Sequence, residues 1–144
     1  MAIALLEAEK AFKIWEVPIG AVLVREGRMI SKAHNMCESL NDPTAHAEML
    51  IIRDGASILN NWRLKDCTIY VTKEPCIMCA GAMINARIYR IVYGCSDKKG
   101  GAVHSLYHLL NDERLNHQVL VTKGVMENEC SSILREFFTK LRYR

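Results

Sequence analysis

Three features of the sequence predict an α/β protein of three layers, a mixed five-stranded sheet with helices on both faces. A hairpin signal lies near the start, where two strand-like runs in IGAVLVREGRMISKAHN flank Glu26-Gly27. Short β-branched runs then alternate with apolar segments of helical period, the pattern of a largely parallel sheet buried between helices. The chain has 144 residues, 50% of them hydrophobic and 24% charged, which suits one domain, residues 1–144, with a proper core.

The elements follow in order. Residues 2–15 read as a helix with Ile3, Leu6, Phe12 and Ile14 or Trp15 near one face. The hairpin comes next, with glycine at its turn. Residues 44–59 read as a second helix, opened by Pro43 and Thr44 and weakened in its latter half by Gly55. CTIYVT (67–72) is a strand, and CIMCAGAMINAR (76–87) a helix with Pro75 suited to its start. IYRIVYG (88–94) and QVLVTKG (118–124) are further strands. A short helix is expected at 105–110 and an amphipathic one at 127–141. No repeat or linker-like tract interrupts the chain.

Composition narrows the function classes. No apolar run is long enough to span a membrane. The opening MAIALLEAEKAFKIWE is broken early by Glu7, Glu9, Lys10 and Lys13, unlike a signal peptide, so a cytoplasmic setting is expected. Net charge is +3, which permits a polyanionic partner. The end, REFFTKLRYR, concentrates Arg135, Lys140, Arg142 and Arg144 against Glu136 alone. These residues, with Lys98 and Lys99, are the candidates for phosphate contacts. Each is equally well read as a solvated lysine or arginine.

The chemistry centres on PTAHAEML (43–50) and PCIMC (75–79). His46 and Glu48 stand two residues apart, and such positions on a helix do not face each other. They suit a pair that approaches a third object from two directions. Cys76 and Cys79 at a helix start offer two sulfurs on adjacent turns, with the positive helix end favouring thiolates. Two thiolates and the His46 imidazole make a three-ligand zinc set whose fourth position stays open to water. Glu48 can then move that water's protons. A thioredoxin-like pair would leave His46 and Glu48 unexplained. A structural zinc would need a fourth ligand, for which His34, His104, His108 and His117 have no characteristic spacing. KKGGA lacks the pattern of a phosphate-binding loop. Of the six cysteines, Cys67 and Cys95 read as buried small hydrophobes, and Cys37 and Cys130 carry no signal.

HAE followed by PCIMC resembles the signature of zinc nucleobase deaminases, H-x-E…P-C-x-x-C. The blocks EVPIGAVLV, AHN, DPTAHAE, NWRL, YVTKEPCIMCAGAMINARI, DKKGG, LNH and EFF extend the likeness along almost the whole chain. They are similar to the bacterial tRNA-specific adenosine deaminases, which convert the wobble adenosine of an anticodon loop to inosine. The resemblance implies a cytidine deaminase-like fold, one zinc per chain on His46, Cys76 and Cys79, and Glu48 as proton shuttle. It implies that Asn35 hydrogen-bonds the purine, that the Ala47 backbone binds the base beside the metal, and that Val17, Pro18 and Ile19 pack around the flipped nucleoside. Asn116 and His117 correspond to anticodon-loop contacts. A homodimer, with both chains shaping each tRNA site, is implied as well, and CAGAMINARIY is the candidate contact face.

This chain departs from the family pattern in a first helix about a turn short, in Lys73 where leucine is common, and in Cys95-Ser96 before Asp97. The zinc motif alone also fits a free guanine or cytosine deaminase. A non-catalytic tRNA-binding subunit would be expected to lack Glu48, which is present.

Overall fold

In the computed structural model, which describes residues 1–144, the strands are β1 (Gly20–Arg25), β2 (Arg28–His34), β3 (Cys67–Lys73), β4 (Arg90–Cys95) and β5 (Leu120–Lys123). They lie in the order β2-β1-β3-β4-β5. β1 is antiparallel to β2 and β3, whereas β3, β4 and β5 are parallel. Glu26 and Gly27 take φ values of 50° and 72°, the two left-handed conformations that a two-residue hairpin turn requires.

The helices are α1 (Ala2–Lys13), α2 (Cys37–Leu40), α3 (Ala47–Ile58), α4 (Ile77–Asn85) and α5 (Glu127–Arg142). α1 and α5 cover one face of the sheet, and α3 with α4 covers the other. The three-layer expectation holds, and every expected strand is present. Leu23, Ile51, Ile69, Met83 and Ile91 fill the α3–α4 side of the core, each fully buried. Burying side chains of this size contributes roughly 1.5–3 kcal/mol apiece.

Three local expectations change. The inward face of α1 is Ala4, Glu7, Ala8 and Ala11, while Ile3, Leu6, Ile14 and Trp15 are exposed. The cause is close approach: a Cβ on Gly20 would collide with the Ala4 carbonyl and the Ala8 amide, so alanines dominate the face where α1 crosses β1. The second long helix starts at Ala47 rather than residue 44, because Asp42 Oδ1 accepts from the Thr44 amide at 2.8 Å and its hydroxyl at 2.7 Å. That local turn competes with helix. The expected helix at 105–110 is a single 3-10 turn, Leu109–Asn111. The four-residue α2 carried no sequence signal.

One end of the sheet gathers the chemistry. The pairings Gly20↔His34, Ala21↔Val71 and Lys73↔Cys95 bring the start of β1 and the ends of β2, β3 and β4 together. The loops leaving β2 and β3 carry Asn35 and Cys76. This is the carboxyl edge of the parallel strands, where open α/β sheets place their sites.

Candidate active site

Two helix starts meet at this edge. His46 is the N-cap of α3 with extended backbone (ψ 149°), and Cys76 is the N-cap of α4 (ψ 178°). Neither side chain caps its own helix. Both are free to turn toward each other. His46 Nδ1 lies 3.6 Å from Cys76 Sγ and 3.5 Å from Cys79 Sγ. The ligand atoms of His46, Cys76 and Cys79 all fall within 4.8 Å of one another, and no fourth histidine, cysteine or carboxylate joins the group.

The Cys79 thiol donates to Cys76 and, aided by His46, holds the Cys76 thiol down at about 4. The same contact, reinforced by burial, pushes Cys79 upward. His46 is raised by its hydrogen bond to Cys76. Two soft donors and an imidazole converging this closely, at two positive helix ends, match the ligand types and number of a tetrahedral zinc with one open position. The donor set fits the ion.

Glu48 is fully enclosed in the first turn of α3, and burial pushes its carboxyl upward. Its Oε2 is the one buried side-chain oxygen or nitrogen with no hydrogen-bond partner. Leaving such a group unpaired costs about 1–3 kcal/mol, and a cost of that kind at a pocket points to function. The offset of His46 and Glu48 is thereby explained: the first turns to the thiols while the second stays beside them without joining the set.

A cleft of about 580 Å³ opens onto His46. Val17 and Ile19 form part of its wall, with Asn35 and Lys73. Pro18 and Ala47 are buried behind it. Asn35 is held at both ends of its amide: Nδ2 donates to Glu16 Oε2 at 3.0 Å, and Oδ1 accepts from the Cys37 thiol at 3.3 Å. Glu16 and Cys37 carried no site signal in the sequence, although a charge inside the apolar EVPIG stretch is the clue that points to Glu16. Lys73 bends to Asp97, 2.8 Å from Nζ to Oδ2, so the lysine at the leucine position stays at the cleft with its charge paired.

The tail of α5 reaches the same cleft through Phe138, Leu141 and Arg144. Phe137 is buried, whereas Phe138 is 44% exposed and also lines an adjoining groove with Arg135 and Arg142. The Arg144 guanidinium stacks over Trp15 at 4.2 Å. Lys140 pairs with Glu136 at 2.9 Å, and Lys98 and Lys99 are exposed beside Asp97.

Asn116 and His117 are not brought to this cleft. His117 Nε2 contacts the Ile88 carbonyl at 2.7 Å, and the pairing Arg90↔Leu120 puts both residues at the amino end of β4. The length of β3 and β4 separates them from the metal-ligand cluster, roughly 20 Å at 3.3 Å per residue.

Comparison with known proteins agrees with this geometry. The model of the MafB19-like deaminase family matches residues 1–142. The tRNA-specific adenosine deaminase of Bacillus subtilis (strain 168) is 50% identical over 96% of this chain and 86% of its own. That of Aquifex aeolicus (strain VF5) is 49% identical over 99% and 93%. A solved structure from work on A-to-I editing by tRNA:A34 deaminases superposes with a TM-score of 0.90, at 46% identity over 93% of this chain and 97% of that one. A full-length match to the family model and near-half identity to several of its members leave one assignment: the chain belongs to the MafB19-like deaminase family, within the group of tRNA-specific adenosine deaminases.

Proposed function

We propose that this protein hydrolyses the C6 amine of adenosine at the wobble position of a tRNA anticodon loop, giving inosine and ammonia. One zinc per chain is held by His46, Cys76 and Cys79. The observation that carries the reading is Glu48, a buried carboxylate with an unpartnered oxygen beside a three-ligand cluster. A zinc ion there would supply a bound water whose pKa is lowered from 15.7 toward roughly 7.

The rest of the mechanism belongs to the chain. Glu48 takes the water's proton and passes it to N1 of the adenine, which makes C6 electrophilic. It then takes the second proton from the oxygen added at C6 and hands it to the departing amine, which leaves as ammonia. Burial suits both steps, because a carboxyl pushed upward works as acid and base nearer neutral pH. Asn35 and the Ala47 backbone hold the base, and Val17, Pro18 and Ile19 exclude water around it. The base must be turned out of its stack to enter, which costs little in an anticodon loop where it is already unpaired.

Lys98, Lys99, Arg135, Lys140 and Arg142 are the proposed phosphate contacts. Asn116 and His117, roughly 20 Å from the cluster, are proposed to meet the RNA from a second copy of the chain. A homodimer is therefore part of the proposal. Most of CAGAMINARIY is buried within the chain, so the contact face reduces to its exposed Asn85 and Tyr89 and its partly exposed Gly81, with exposed Ile77 just before the segment. Gly81 has open space where a Cβ would stand, which suits close approach of another backbone. A reducing, cytoplasmic compartment suits the thiolate pair, since a disulfide would release the metal.

The test is inosine formation on a synthetic anticodon stem-loop, whose wobble base is unpaired and open to extrusion, run beside free adenosine, guanine and cytosine. Turnover of free guanine or cytosine with an unreacted stem-loop would replace this reading with that of a free-base deaminase.

A further inference from the structure

An asparagine amide is nearly symmetric in shape but opposite in chemistry, since one end donates and the other accepts. A side chain that reads a purine must therefore be kept the right way round. In the cleft, each end of the Asn35 amide already has one protein partner, and these partners decide what remains for a bound base.

Glu16 is completely buried. It lies just beyond α1, after Trp15 at φ 63°. Its Oε1 accepts from the Ser39 amide at 2.6 Å and its Oε2 from Asn35 Nδ2 at 3.0 Å. With Oε1 engaged by the Ser39 amide, Oε2 accepts from Asn35, so the NH2 end of that amide faces the carboxylate. At the other end, the Cys37 thiol donates to Asn35 Oδ1 at 3.3 Å. Burial, with Glu16 and Asp42 close by, pushes that thiol upward, so it keeps the proton it donates. Both partners select one orientation. Asn35 then offers the cleft its second N–H and its second carbonyl lone pair in a fixed order.

We propose that Glu16 is a positioning residue for this deaminase: its carboxylate sets the orientation in which Asn35 presents its amide to the purine. The proposal rests on the functional reading above and adds the element that gives Asn35 its handedness. Glu16 sits at the wall of the cleft with both carboxylate oxygens already engaged by Ser39 and Asn35. It acts through Asn35, and through Ser39 it also ties the loop after β2 to the end of α1.

Glu16→Gln isolates the effect, because it is isosteric. The Ser39 amide keeps its acceptor, so the new side chain's oxygen stays there and its NH2 group faces Asn35. That arrangement favours the inverted Asn35 amide and swaps donor for acceptor at the base. The expected result is a fall in kcat/KM on the anticodon stem-loop of roughly 10- to 100-fold, the range for losing a hydrogen bond to a charged group. Zinc content and the cooperative unfolding transition should be retained.

A double-mutant cycle with Asn35→Ala separates positioning from general structural support. If Glu16 works through Asn35, adding Glu16→Gln to Asn35→Ala costs less than about twofold further. Multiplicative losses, or wild-type kcat/KM in Glu16→Gln alone, overturn the proposal. Should Glu16→Gln lose its unfolding transition, the same cycle is run with Cys37→Ala at the other end of the amide, where multiplicative losses overturn it equally. A wild-type chain that forms no inosine on the stem-loop brings down the functional reading and this proposal together. An active wild type with a multiplicative cycle brings down this proposal alone.

Discussion

His46 and Glu48 sit two positions apart and do different work, which yields a sharp contrast between variants. Cys79→Ala removes a proposed ligand that is itself fully buried in the core, so zinc by elemental analysis should fall well below one per chain and the unfolding midpoint should drop, because metal binding and folding are coupled. Glu48→Ala should keep full zinc and fold yet lose at least ~10²–10⁴-fold in turnover, the usual worth of a general acid–base. Zinc loss in Glu48→Ala would make it a ligand. His46, Glu48, Cys76 and Cys79 are legible in the sequence because few residue types bind zinc and their spacing is local. Glu16 and Cys37 are not, since nothing in EVPIG or NMC says that Asn35 will lie between them.

At the scale of elements, the loop after β4 is pinned to the metal loop by one carboxylate. Glu74, just before Pro75, accepts from the amides of Asp97, Val103, His104 and Ser105 at 2.9–3.1 Å and from the Ser105 hydroxyl. Burial would raise its pKa, but these hydrogen bonds outweigh burial and hold it at about 2. A carboxylate lowered on folding stabilises above its unfolded value of 4.5 and loses that contribution as pH falls toward 2. Glu74→Gln should therefore be less stable than wild type at pH 7, by about 1–3 kcal/mol, with the gap between the two unfolding midpoints shrinking below pH 4.5 and closing as pH falls through about 2 in chemical denaturation. A gap that stays constant with pH would refute the linkage. The other decisive element is α5. Deleting residues 140–144 removes Leu141 and Arg144 from the cleft wall, so KM for the stem-loop should rise. The log–log salt slope should become shallower by roughly 0.7 for each phosphate that the shortened helix no longer reaches. Zinc should stay at one per chain, because no ligand lies in α5. An unchanged slope and KM would make the tail a solvated helix end.

At the scale of the whole molecule, Asn116 and His117 stand at the opposite end of β4 from the His46, Cys76 and Cys79 cluster, and the proposed RNA site therefore draws on two chains. Light scattering should give a dimer at assay concentration, and Gly81→Arg, placed on the open face of α4, should shift it toward monomer and raise KM at least severalfold without loss of zinc. An active monomer of wild-type sequence would end the two-chain account. The amino-acid sequence by itself determined the layer order, the strands and the grouping of His46, Cys76 and Cys79. These rest on local periodicity, turn chemistry at Glu26-Gly27 and a short motif, all written within a few residues of one another. Tertiary structure alone decided which face of α1 is buried, because the backbone of Ala4 and Ala8 meets Gly20 of β1 too closely for the large side chains of Ile3 and Leu6 to point inward. It alone brought the end of α5 to the cleft of His46, and carried Asn116 and His117 away from it. Contacts between residues far apart in the chain depend on strand register and helix packing, and no local pattern encodes those distances.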